Sequence, residues 1–324
     1  MDEANRNLTV NKLSEKQIAR AVKNSGLRRA IIRDRWLYIM LAIPLLHIFV
    51  FQYIPLYGIL IAFQDYNSYL GFFRSKWVGL KHFEGIVTDE YFRKVFFNTV
   101  RIGTVSFVFS FPAPILLALL LNEVKHMVYK KSVQTLTYLP HFISAVAICG
   151  MVVLMLEPET GLINIIAKAI TGKSTYFMIE SQWFIPVYVI TGIWQSTGFS
   201  AIIYMAALSG IDPTLYESAV IDGANRFQRA IYITLPSIKP TVTMLLILGM
   251  PAIISVNFEK VLLLYRPIIY DVADVVPTYM YRRALLGADF SYGTAIGFFF
   301  SLLSLGLIAA ANTVSKKLTE TSLW

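Results

Sequence analysis

An all-α membrane protein with six helical spans is the fold class this sequence predicts, and three observations predict it. The 324 residues are 56% apolar and only 15% charged, against about 25% charged in an average soluble domain. A soluble core of this size would have too few charges to coat its surface, whereas lipid needs no charged coat. Six stretches are nearly charge-free and about as long as the roughly 20 residues that cross hydrocarbon as helix. Runs such as 115–121 do not alternate apolar with polar residues, which excludes barrel strands.

The elements follow in order. A polar, basic arm occupies 1–36, spans are expected at about 37–63, 96–121, 134–156, 184–208, 239–258 and 293–313, and a short tail covers 314–324. The first apolar stretch starts near Trp36, after the arm, and runs too long for a cleavable signal peptide, so it reads as a retained span. Pro112 and Pro114 fall inside the second span and Pro251 inside the fifth. Each removes a backbone donor and bends its helix, as a static kink or as a moving hinge.

An even number of spans puts both termini on one side. The net charge is +9, and Arg101 lies inside the second span. The remaining +8 falls wholly on the face carrying the termini and the loops at 122–133 and 209–238, and the opposite loops balance to zero. By the positive-inside rule that face is cytoplasmic, in a multi-pass membrane protein. The basic balance therefore reports orientation and calls for no nucleic acid.

Nothing in the chain argues for an enzyme. Gly172-Lys173-Ser174-Thr175 resembles the end of a phosphate-binding loop, but the glycine needed five residues before Gly172 is Ala167, and no strand precedes it. The single Cys149 and the scattered His47, His82, His126 and His141 share no ligand spacing, so no metal and no resident cofactor are expected.

The loop at 209–238 is the informative one. Asp212 is a good amino-terminal cap with Pro213 at the first helical position, so a short helix is expected from Pro213 to Ile221. Gly223 permits the tight turn that follows. A second short helix from about Asn225 to Thr234 carries Phe227, Ile231 and Leu235 at four-residue spacing, with Pro236 as its stop. Such an apolar ridge suits a partner protein, or an interfacial helix on lipid headgroups.

The pattern Glu217-x-Ala219-x-x-Asp222-Gly223-Ala224, followed by Leu235-Pro236 and Pro240, resembles the EAA signature of permease subunits in ATP-binding-cassette importers, with Ser218 where alanine is usual. The resemblance implies a six-span importer permease fold with a cytoplasmic coupling helix pair, in which Glu217, Ala219, Asp222, Gly223, Ala224, Phe227, Leu235 and Pro236 meet a separate ATPase subunit. It also implies a second permease subunit in a heterodimer, two copies of the ATPase subunit holding ATP and Mg, and an extracellular or periplasmic solute-binding protein.

Thr160-Gly161-Leu162-Ile163-Asn164 and Asn257-Phe258-Glu259, with Pro267 and Tyr279-Met280-Tyr281, resemble sugar permeases of the maltose-importer type. The stretch from Leu262 to Arg283 is most similar to the branch importing polysaccharide fragments, alginate oligosaccharides among them, although Tyr265-Arg266 replaces a glycine pair common in the wider group. The implied function is ATP-driven saccharide import by alternating access.

Polar groups at membrane depth are default site candidates. Trp194, Gln195 and Ser196 in the fourth span and Asn257 near the outer end of the fifth are therefore candidates for the substrate pathway, with helix packing as the alternative role. Glu259 and Lys260 are expected to form a solvated or paired rim, and Arg101 to snorkel outward or meet an anionic substrate. The first outer loop holds the aromatic residues Tyr66, Tyr69, Phe72, Phe73 and Trp77, which suit an interface belt or a binding-protein dock. The rival functions are an ion-coupled secondary transporter, which would show inverted repeats, and a membrane glycosyltransferase, for which Asp271 and Asp274 are the nearest carboxylate pair.

Overall fold

The computed structural model describes residues 33–319. The basic arm through residue 32 and the tail from 320 lie outside the described residues. Among the described residues four helices are long and apolar enough to cross a membrane, Arg35–Phe63, Glu90–Glu123, Arg226–Ile253 and Phe290–Lys317, and the number rises to six when each of two bent helix pairs is counted as one span. The chain divides into one unit up to Leu60 and a larger one from Ile61. The first holds most of the helix Arg35–Phe63, which passes from α-helix through a π-helical turn at Phe49–Tyr53 into a 3-10 stretch.

In the larger unit a two-residue antiparallel pair, Gln64–Asp65 with Lys76–Trp77, closes the loop that presents fully exposed Tyr69 and Phe73. The second span starts at Glu90, capped by Asp89, whose carboxylate accepts from the amides of Tyr91 and Phe92 at 2.9 and 3.1 Å. It breaks at Phe111, where Pro112 opens a new helix, Pro112–Glu123. The break falls where the prolines were expected to disturb the helix, while Phe111 keeps helical backbone angles and the span continues to Glu123.

The third span differs from the single helix expected at 134–156. It runs as Met127–Tyr138 and Leu139–Phe142, then turns by 103° into Ala145–Met155. Pro140 ends the first segment, and the Ser144 hydroxyl restarts the chain by accepting from the Ala147 amide. His141 stacks flat on Phe199 of the fourth span, with centroids 4.1 Å apart. The fourth span, Ser181–Ser209, is a 29-residue helix that packs on the second and third. At Gly198 a Cβ would lie 2.0 Å from the carbonyl oxygen of Thr137, so only glycine allows this crossing.

The loop after the fourth span also differs from expectation. Pro213–Ile221 is the helix foreseen, with Asp212 accepting from the Thr214 amide at 2.9 Å. The second short helix is instead the start of the fifth span, which runs unbroken from Arg226 to Ile253 through Pro236 and Pro240. Pro236 does not stop it because Ala230–Thr234 form a π-helical turn just before it. That turn shifts the hydrogen-bond ladder by one residue, the Leu235 amide donating to the Ala230 carbonyl, and the Thr234 hydroxyl donates to the Arg229 carbonyl at 3.2 Å. The fifth span ends in a 3-10 turn around Pro251.

Between the fifth and sixth spans the chain builds a chain of short helices, Phe258–Leu264, Tyr270–Ala273 and Val276–Met280. They carry the largest buried cluster, in which Val261, Leu264, Ile269 and Val275 pack with Ile102, Cys149, Phe184 and Tyr188. Two ionic networks pin this segment to the head of the second span. Fully buried Asp274 accepts from Nη1 and Nη2 of Arg282, from the Tyr91 hydroxyl at 2.7 Å and from the Thr278 hydroxyl at 2.7 Å. Asp89 accepts from Tyr279 at 2.6 Å, Arg283 at 2.9 Å and Tyr292 at 3.2 Å.

Candidate functional site

The turn at Gly223 shows why its signature has the spacing it has. The Pro213–Ile221 helix ends in a Schellman motif: the Ala224 amide donates to the Ala219 carbonyl at 2.8 Å and the Gly223 amide to the Val220 carbonyl at 3.1 Å. Gly223 itself has φ +78°, a left-handed conformation that a side chain disfavours. Asn225 then opens the fifth span with a reciprocal cap, accepting from the Gln228 amide at 2.9 Å while its own amide donates to Gln228 Oε1 at 2.8 Å. The two helices are held as one body, because the Tyr216 hydroxyl is hydrogen-bonded to buried Thr234 Oγ1 at 3.0 Å.

Glu217, Asp222, Gly223, Phe227, Leu235 and Pro236 are exposed on this body, and Ala219 and Ala224 are half-buried at the turn. Ile221 and Phe227 stand 85% and 74% exposed on either side of it. This apolar pair is flanked by two carboxylates, Glu217 and Asp222, with no ion-pair partner among the described residues. Arg226 reaches Glu123 at 3.9 Å and ties the turn to the end of the second span.

The pathway candidates do not converge on one cavity. Trp194 lines an apolar cleft of about 540 Å³ with Met155, Phe177, Trp183 and Ile190. Gln195 donates to the Ile143 carbonyl at the break in the third span, at 3.5 Å. Ser196 donates to the Gly192 carbonyl and joins Ser110 and Ser200 around a cleft of about 270 Å³ beside the Pro112 kink. Three successive helical residues point about 100° apart, so one triplet serves three surroundings.

Asn257 lies beyond the end of the fifth span, as the cap of Phe258–Leu264. Its side chain accepts from the Lys260 amide at 2.8 Å, and its own amide donates to the Tyr188 hydroxyl at 3.1 Å. Lys260 overturns its sequence reading as a solvated or paired rim: it is 8% exposed, and its Nζ lies 5.7 Å from the centre of the Tyr188 ring. The short helix packs against Ala145–Met155 and against the fourth span, which carries Lys260 inward. Nothing in the local sequence distinguished a buried lysine from a rim lysine. Arg101 is exposed and lines a cleft with Ser181, Gln182 and Ile185.

The carboxylates considered for transferase chemistry are occupied. Asp274 is locked by Arg282 and Asp271 is paired with Lys94, so they form no acid–base couple. The Gly172 segment is a left-handed cap, φ +75°, that closes the helix Leu162–Thr171. Asn164 of the same region is buried, donating to the Leu156 and Thr175 carbonyls at 3.0 and 2.7 Å and accepting from the Thr175 amide at 2.9 Å.

Comparison with known proteins adds three findings. Residues 110–320 match the family model described as binding-protein-dependent transport system inner membrane component. Among curated proteins, the chain is 39% identical to Protein LplB of Bacillus subtilis, over 98% of this chain and 99% of that one. It is 40% identical to the polygalacturonan/rhamnogalacturonan transport system permease protein YteP of the same organism, over 93% and 94%. Among solved structures it is similar to a chain of a bacterial ABC transporter involved in the import of the acidic polysaccharide alginate, with TM-score 0.83 and 41% identity, covering 90% of this chain and 99% of that one. A second structure, of bacterial alginate ABC transporter in complex with alginate pentasaccharide-bound periplasmic protein, matches with TM-score 0.82 and 41% identity, over 91% and 99%.

Proposed function

The chain belongs to the family of binding-protein-dependent transport system inner membrane components, and from that premise we infer that it is one half of an ATP-driven importer for acidic oligosaccharides released from a polysaccharide. The importer would comprise this permease, a second permease subunit, two ATPase subunits and a solute-binding protein. The observation that carries the coupling role is the rigid turn at Gly223: an exposed helix, Pro213–Ile221, hydrogen-bonded into the base of the fifth span, so that force on one moves the other.

In this mechanism ATP and Mg reside on the ATPase subunits. Their closure on Phe227, Ile221 and the flanking carboxylates shifts the Gly223 body as a unit. The fifth span carries that shift inward without a loose joint, because it continues through Pro236. The permease pair then exchanges an outward-open for an inward-open pathway, and the ligand shifts this balance only through contacts that differ between the two states. With the Gly223 turn on the cytoplasmic face, both termini are cytoplasmic, and Tyr69 and Phe73 face the solute-binding protein on the other side. The acidic substrate class rests on the polygalacturonan/rhamnogalacturonan permease and on the alginate importer, each about two-fifths identical along nearly the full chain.

The experiment is uptake of labelled trigalacturonate and trimannuronate into proteoliposomes holding the full importer and its binding protein. ATP-dependent accumulation is expected. Accumulation driven by an ion gradient without ATP would instead make the chain a secondary transporter.

A further inference from the structure

The fold gives several cations an acid partner. Arg282 has Asp274, Arg283 has Asp89 and Asp289, and Lys94 has Asp271. Lys260 has none. It is more than nine-tenths buried, and among the described residues no carboxylate reaches its Nζ and no acceptor is bonded to it. Its surroundings are the face of Tyr188 and the bare backbone at Gly192, where an added Cβ would stand 3.6 Å from Nζ.

Two features hold the ammonium there. Asn257 caps the short helix that carries Lys260, and it is itself anchored to the Tyr188 hydroxyl. Gly192 leaves room beside the fourth span. It lies roughly 17 Å along a helix of roughly 42 Å, near its middle. Tyr188, Gly192 and Ser196 follow at four-residue steps, so Lys260 stands at the head of the stripe on which the pathway candidate Ser196 lies. A buried ammonium without a counter-charge is costly, and at membrane depth it marks a functional position.

We propose that the Lys260 ammonium is the carboxylate-binding group of the translocation pathway, pairing with a uronate carboxylate as an acidic oligosaccharide passes the Tyr188–Ser196 face of the fourth span. This rests on the acidic-oligosaccharide reading above. A single cation next to an aromatic face pairs with one carboxylate at a time, which suits a site a chain must leave as well as enter.

The test compares wild-type, Lys260→Met and Lys260→Arg importers, each complete with its partner subunits and binding protein, for ATP-driven uptake of trigalacturonate and trimannuronate. Subunit co-purification and ATP hydrolysis stimulated by the binding protein are read on the same samples. The expected result is that Lys260→Met assembles and hydrolyses ATP normally yet loses at least tenfold in uptake, while Lys260→Arg keeps most of it. Unchanged uptake in Lys260→Met overturns the proposal. Lost assembly or lost stimulated hydrolysis in Lys260→Met also overturns it, because the lysine then pairs with an acid inside the complex. A wild-type importer that takes up a neutral trisaccharide, and neither uronate, overturns the acidic-substrate reading itself, an outcome distinct from failure of the variant.

Discussion

The amide of Ala224 donates to the carbonyl of Ala219 at 2.8 Å, across a left-handed Gly223. This one bond converts a helix end into a rigid corner, and it accounts for the spacing of the signature: Ala219 supplies the acceptor, Gly223 the backbone conformation and Ala224 the donor. Glu217 and Asp222 take no part in the bond and stand exposed on the surface it shapes.

Gly223→Val forces a branched side chain into φ +78°, at a cost of about 1–2 kcal/mol. No atom lies within 4 Å of the added Cβ, so the strain is local and the subunit should still assemble. The expected outcome is retained ATP hydrolysis with uptake reduced at least tenfold, and a milder loss for Gly223→Asn, since asparagine tolerates the left-handed region. Coupled uptake at the wild-type rate in Gly223→Val would remove the corner from the mechanism.

Asp274→Ala removes a fully buried carboxylate and leaves Arg282, whose side chain is 28% exposed, without its counter-charge. Removing one partner of a buried pair costs about 3–5 kcal/mol, and the exposure of Arg282 puts the loss at the lower end of that range. Tyr91→Phe deletes a single hydrogen bond to the same carboxylate and should cost about 1.5–3 kcal/mol. Thermal unfolding of the purified complex should rank wild type above Tyr91→Phe and Tyr91→Phe above Asp274→Ala.

Asp89 gives the stability an acid limb. Burial alone would raise its pKa, but hydrogen bonds from Tyr279, the Phe92 amide, Tyr292 and the Tyr91 amide together hold the carboxyl below its usual value. A depressed folded-state pKa contributes stability that is complete above the unfolded value, about 3.9, and is lost as pH falls through the folded one. Melting temperature should therefore drop more steeply below about pH 4 in wild type than in Asp89→Asn, which is already less stable at neutral pH. Parallel curves would show that Asp89 carries none of it.

Gly198→Leu drives a side chain into the backbone of the third span, where even the Cβ would sit 2.0 Å from the Thr137 oxygen. Overpacking of this kind costs about 1–3 kcal/mol or more. Reduced thermal stability with a shifted cross-linking pattern between positions 137 and 198 is the expected result, and an unchanged melting temperature would mean that the helices part here without cost.

Much of the architecture is legible in the chain because its signals are local. Charge-free runs mark the spans, and Asp212-Pro213 marks a helix start that the structure places at the same residues. The break in the third span was equally local, in Pro140 and Ser144, but the apolar run through it hides the turn, since hydropathy does not sense direction. Pro236 misled for the converse reason: a proline stops a helix only if the ladder cannot shift register, and the π-helical turn at Ala230–Thr234 shifts it.

The site separates along the same line. The corner at Gly223 was readable because its donors, acceptor and left-handed residue lie within six positions, and backbone geometry at that range is dictated by residue type. Lys260 was not readable, because its burial depends on Tyr188 and Gly192, about seventy positions earlier in the chain. Composition and pattern by themselves determined a six-span membrane protein, its charge asymmetry and its exposed helix corner. Only the tertiary structure decided which cations are neutralised and which is left open, since pairing depends on distances between segments that no local pattern encodes.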